Sequence, residues 1–112
     1  MFKAVILLFA LVSAQIAGAA INSGSAAPDF TLNGSDGKSY KLSQFKGKTV
    51  VLEWFNNDCP FVKKFYDTKT MQALQAEQKA KGVVWLTIVS SAPGKEGHLD
   101  AAGAQALYKE RG

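Results

Sequence analysis

"EWFNNDCPFVKKF" (residues 53–65) holds the one cysteine among the chain's 112 residues. The run leading into it, "TVVLEWF" (49–55), is a near-continuous series of β-branched, apolar and aromatic residues, as a strand buried on both faces requires. Pro60 follows Cys59 directly and suits the first turn of a helix, where its missing N–H costs nothing. Phe61, Val62, Phe65 and Tyr66 then form a stripe at helical spacing. The thiol therefore sits where a strand gives way to a helix.

Working outward, "DTKT" (67–70) breaks that helix. Thr68 or Thr70 is expected to cap a second piece over Met71–Lys81, which Gly82 closes. "VVWLTIVS" (83–90) reads as a second buried strand, "SAPGKEG" (91–97) as a loop, and Leu99–Tyr108 as an alanine-rich helix. Upstream, Phe30-Thr31-Leu32 and Tyr40-Lys41-Leu42 alternate around the turn chemistry of residues 33–39, predicting a β-hairpin. Two apolar strands joined by a helix predict a right-handed βαβ unit with a parallel pair. The fold class is α/β over residues 28–112: a hairpin, a βαβ unit and a helix. A sheet of long apolar strands is not expected to end on an open edge, so the domain reads as incomplete at its C-terminus.

Residues 1–20 are a separate object. Lys3 precedes an apolar run that ends in small residues, and Ala17-Gly18-Ala19 fits signal-peptidase cleavage after Ala19 or Ala20. The fully apolar core, 4–12, is shorter than the roughly 20 residues that span a bilayer. The expectation is an exported protein, periplasmic or secreted, with no stable membrane insertion after cleavage and a flexible lead-in at 21–27. Composition is that of a globular protein, 47 % hydrophobic and 20 % charged, with a net charge of +4. No basic run is interleaved with aromatics, so no nucleic-acid partner is expected.

Export sharpens the meaning of a single cysteine. In an oxidising compartment, structural cysteines come in pairs, and a leftover thiol implies an intermolecular partner or a reactive group. At a helix N-terminus, unpaired backbone N–H groups and the macrodipole favour the thiolate. Asp58 opposes this by repulsion, although its side chain is free to turn to solvent. Against reactivity stands the reading of Cys59 as a small buried apolar residue. Glu53 is the second candidate. A carboxylate inside an apolar strand is costly without a partner, and a desolvated one suits proton transfer; the alternative is a strand-edge position or a lysine partner. His98 is expected exposed, and Trp54 and Trp85 are expected in the core. With one Cys and one His, no metal site of standard ligand count can be built, and no cofactor is expected.

"APDFTL" (27–32), "LSQFKGK" (42–48) and "WFNNDCP" (54–60) together resemble the opening half of a thioredoxin-fold redoxin, in the alkyl hydroperoxide reductase/thiol-specific antioxidant branch. The resemblance runs from about Ala27 to the chain end. It implies a thioredoxin-like fold, Cys59 as the attacking thiol, and Glu53 as the buried acid six residues before it. The departures are specific. Val62 stands where a C-x-x-C resolving cysteine belongs. Leu52 and Asn56 occupy the Pro and Thr/Ser positions of the peroxiredoxin signature, with Asn56 still able to donate a hydrogen bond. Lys63 stands where a copper-delivering relative carries its second cysteine. The function implied is an exported thiol oxidoreductase acting on peroxides or protein disulfides through Cys59, Glu53 and Asn56 with an external thiol as reductant. The alternative is a redox-inactive binding module that keeps the fold without the resolving cysteine.

Overall fold

The computed structural model describes residues 21–112; the expected leader, 1–20, lies outside the described residues. A hairpin of β1 (Thr31–Asn33) and β2 (Ser39–Lys41) comes first, antiparallel, with Leu32 opposite Tyr40. Its turn is closed by Gly34 N–H donating to the Lys38 carbonyl at 2.7 Å, while Asp36 accepts from the Tyr40 hydroxyl at 2.8 Å. A 3₁₀ turn over Leu42–Phe45 leads out of it. There the Asp29 carboxylate accepts from Ser43 N–H at 2.9 Å.

The second sheet carries the candidate site. β3 (Val50–Trp54) and β4 (Val84–Ile88) pair in parallel, in a register that sets Val51 beside Trp85, Glu53 beside Thr87 and Trp54 beside Ile88. Phe55 N–H extends the ladder onto the Ile88 carbonyl at 2.9 Å. Between these strands run α1 (Pro60–Asp67) and α2 (Thr70–Ala80), which supply the crossover a parallel pair needs. The hairpin, the βαβ unit and the trailing helix α3 (Ala101–Arg111) follow the order expected from the sequence.

Alternation along the strands divides the sheet into two faces. Val51, Glu53 and Phe55, with Trp85 and Thr87, form one. Tyr66 of α1 and Gln75 of α2 reach Glu53 there, so the helix pair lies over this face. The core of the described residues is Phe55 and Tyr66, 7 % and 8 % exposed. Val50, Leu52 and Trp54, with Val84, Leu86 and Ile88, form the other face. Trp54 does not join the core as expected, for it is 64 % exposed. An apolar run shows that a strand can be covered on both faces, but not what covers each.

Helix boundaries differ from expectation in one informative way. Neither Thr68 nor Thr70 caps α2. The Thr68 hydroxyl instead turns back onto the carbonyls of Lys64 (2.8 Å) and Phe65 (3.3 Å), ending α1. Lys69, in the left-handed region at φ 61°, makes the joint between the helices. α3 begins two residues later than predicted, where the Asp100 side chain accepts from Gly103 N–H at 2.7 Å. An N-cap of this kind contributes about 1 kcal/mol. Asp100→Ala is therefore expected to lower stability by about 1 kcal/mol in denaturant unfolding, with Asp100→Asn close to wild type.

Candidate functional site

Cys59 is the N-cap of α1. Its backbone is extended (φ −68°, ψ 122°), and its carbonyl accepts the first helical hydrogen bond, from Lys63 N–H at 3.0 Å. Its own N–H donates to the Asn56 carbonyl at 3.2 Å. The thiol is free and half-buried. It opens onto a depression of about 340 Å³ walled by Trp54, Phe55, Asn56, Val62, Ser90 and Ser91. Strand end, helix start and the loop after β4 thus converge on one sulfur. Asn56 and Cys59, both singled out by sequence, are brought together here. Val62, one turn along α1, presents an aliphatic wall to the same hollow.

The loop between β3 and α1 is fixed by its own side chains. Asn56 Oδ1 accepts from Asp58 N–H at 2.8 Å, an Asx-type turn. Asp58 Oδ2 accepts from Gly97 N–H at 2.9 Å, so this carboxylate is tied to the β4–α3 loop and does not turn freely to solvent. Gly97 is buried at φ +74°, and a Cβ there would be driven into the Asn56 side chain. Only glycine lets the loop lie this close. Nearby, exposed His98 places Nδ1 2.9 Å from the Ser91 carbonyl. A carbonyl only accepts, so Nδ1 is the donor in this contact.

Glu53 does not line the depression at Cys59. Its carboxylate faces the helix pair and gathers four side-chain donors. Trp85 Nε1 lies at 2.8 Å, the Tyr66 hydroxyl at 2.9 and 3.1 Å from the two oxygens, Gln75 Nε2 at 3.2 Å and Thr87 Oγ1 at 3.3 Å. Gln75 also donates to the Tyr66 oxygen at 3.0 Å. The lysine alternative does not describe this arrangement, for these partners are neutral donors; Glu53 itself is the fourth of the five residues of β3. Such a donor set matches an acceptor-only carboxylate, and hydrogen bonds to a charged group are each worth about 1.5–3 kcal/mol. Burial, together with the bond to Glu53 and its charge, pushes the Tyr66 hydroxyl up to about 12. The Tyr66 ring meets Phe55 edge-to-face, centroids 5.3 Å apart, and Arg111 lies 5.6 Å from its centroid.

Tyr66, Gln75 and Trp85 were not singled out as functional by sequence reasoning, because Tyr66 and Trp85 fall in apolar patterns and all three lie far from Glu53 along the chain. A signal was nonetheless present. Buried Tyr and Trp need a polar partner for their O–H and N–H, and a carboxylate in the neighbouring strand needs donors. Among the described residues no three His, Cys, Asp or Glu side chains gather in a way that holds a metal.

Two outcomes follow from this geometry. Tyr66 in the folded chain keeps its proton until about pH 12, against 10.0 for an ordinary tyrosine. The folded state binds more protons between these values, so this contribution to stability is full below pH 10 and is lost as pH rises through about 12. Tyr66→Phe is expected to remove that part of the alkaline decline, read by denaturant unfolding across the window. Gly97→Ala combines a positive φ with a steric clash and is expected to cost about 1–3 kcal/mol. A Gly97→Ala chain with wild-type stability would contradict this packing.

Comparison with known proteins places this sequence in a family. The family model described as Redoxin matches residues 22–109. The chain is 50 % identical over 40 residues to the chloroplastic peroxiredoxin Q of Populus jackii, which is 36 % of this chain and 19 % of that protein. It is 50 % identical over 38 residues to the chloroplastic peroxiredoxin Q of Triticum aestivum, 34 % of this chain and 18 % of that one. The matched stretch thus spans about a fifth of these relatives' length. Among solved structures it is similar to the exposed lipoprotein thioredoxin of Streptococcus pneumoniae, with 34 % identity and a TM-score of 0.49, covering 74 % of this chain and 58 % of that one. The family match takes in nearly all the described residues, and the chain belongs to the redoxin family.

Proposed function

We propose that this chain is a thiol-dependent oxidoreductase in which Cys59 attacks a peroxide or a disulfide. The observation that carries the reading is the free thiol at the N-terminus of α1, opening onto a depression with polar groups beside it. Against a hydroperoxide, the sulfur attacks the outer oxygen and the O–O bond breaks. Cys59 becomes a sulfenic acid, and the leaving oxygen takes a proton to depart as an alcohol or water. An external thiol then condenses with the sulfenic acid, releasing water and forming a mixed disulfide, which a second thiol resolves. Against a disulfide, attack gives the mixed disulfide directly and expels a thiolate.

Asn56 supplies a donor at the site. Its Oδ1 is engaged by Asp58 N–H, which leaves the Nδ2 amide to meet a substrate oxygen. Glu53 takes the thiol proton and returns it to the leaving group through water, since its carboxylate stands outside the depression. The peroxiredoxin Q likeness favours the peroxide branch. Export rests on the leader-like character of residues 1–20. Val62 in the resolving position supports the second reading, a binding module that keeps the fold without turnover.

The test is consumption of hydrogen peroxide, and reduction of glutathione disulfide, by the purified chain with dithiothreitol as reductant. Wild type is expected to turn over at least one of these, and Cys59→Ser to abolish it. A sulfenic-acid-trapping reagent should label Cys59 after peroxide. A folded wild type that consumes neither substrate leaves the binding-module reading.

A further inference from the structure

Tyr66 belongs to both halves of the candidate site. Its hydroxyl donates to Glu53 at 2.9 Å, and its ring packs edge-on against Phe55, a wall of the Cys59 depression. Its backbone carbonyl accepts from Gln72 Nε2 at 3.0 Å, and Arg111 lies over its ring. At 8 % exposure the side chain has little room to move. A side chain fixed at both ends in this way sets the spacing between the groups it touches.

We propose that Tyr66 is a positioning residue for the thiol chemistry, holding the Glu53 carboxylate through its hydroxyl and the Phe55 wall through its ring. The inference rests on the oxidoreductase reading. It adds to that reading a residue that touches neither substrate nor sulfur. The proton lost by Cys59 reaches Glu53 through water and returns to the leaving oxygen or sulfur, and a carboxylate held in one orientation makes that relay reproducible. Small misplacements in such arrangements are costly in rate. Of the four donors to Glu53, Tyr66 is the one that reaches Oε1, the other three meeting Oε2, so its loss leaves Oε1 unheld.

The test compares Tyr66→Phe, Glu53→Gln, the double variant and Cys59→Ser in the full chain, with hydrogen peroxide and glutathione disulfide as substrates. Tyr66→Phe keeps the ring and removes only the hydroxyl. It is expected to lower kcat about tenfold, a part of the roughly 10²–10⁴-fold that a proton-transfer group itself supplies, with KM unchanged. The double variant is expected to be no slower than the slower single one, because both act through one unit. Site-specific fluorotyrosine at position 66 preserves shape and acidifies the hydroxyl, and is expected to change kcat at constant melting temperature. A kcat that neither Tyr66→Phe nor fluorotyrosine moves, with Cys59→Ser inactive, overturns this proposal and leaves the oxidoreductase reading standing. Losses that multiply in the double variant also overturn it. Activity that survives in Cys59→Ser removes the underlying reading and this proposal with it.

Discussion

The Glu53 carboxylate is the constraint around which the second sheet and its helices are organised. A charged group in the middle of an apolar strand is tolerable only when its oxygens are satisfied. Here the donors come from four places: Tyr66 on α1, Gln75 on α2, and Trp85 and Thr87 on β4. Satisfying one carboxylate therefore fixes the position of both helices and the neighbouring strand against β3. Apolar packing supplies driving force without direction. The hydrogen bonds supply the direction.

That arrangement explains how so small a core holds a definite shape. Only Phe55 and Tyr66 are buried among the hydrophobic side chains described, and they touch each other. Tyr66 is shared between the two kinds of force, its ring in the core and its oxygen in the polar cluster. The same pattern recurs at the helix joint. Lys69 Nζ and Gln72 Nε2 both donate to the Arg111 carbonyl, at 2.6 and 3.2 Å, so the end of α3 is held against the α1–α2 turn. Long-range polar contacts pin elements that short strands and amphipathic helices alone would leave loosely oriented.

Much of this was legible in the sequence, and the limits follow from physics. Strand β3, the helix start at Pro60, the break near Thr68 and strand β4 are written in local patterns of period, turn chemistry and proline. The position of Cys59 at the strand-to-helix junction follows from those alone. The partners of Glu53 do not. They lie 13, 22, 32 and 34 residues away, and their identity depends on parallel register and on the way α2 folds back. The Asp58–Gly97 contact was hidden for the same reason, since a glycine in a loop reads as a turn residue until its neighbour is known. Trp54 shows the converse. Its strand position was correct, but exposure is decided by what packs on the far face.

Pro60 has a chemical consequence separate from its role in starting the helix. An oxidised cysteine sulfur can be sheltered by closing a ring onto a backbone nitrogen, a sulfenamide that blocks further oxidation. The nitrogen after Cys59 belongs to proline and carries no hydrogen to give up, so that shelter is closed. Within these 112 residues there is also no second cysteine to form a disulfide with it. A sulfur oxidised at this helix start has two fates left: capture by a thiol from outside these residues, or passage to the irreversible sulfinic state. The residue that shapes the junction thereby leaves the oxidation state of Cys59 dependent on the supply of thiol around it.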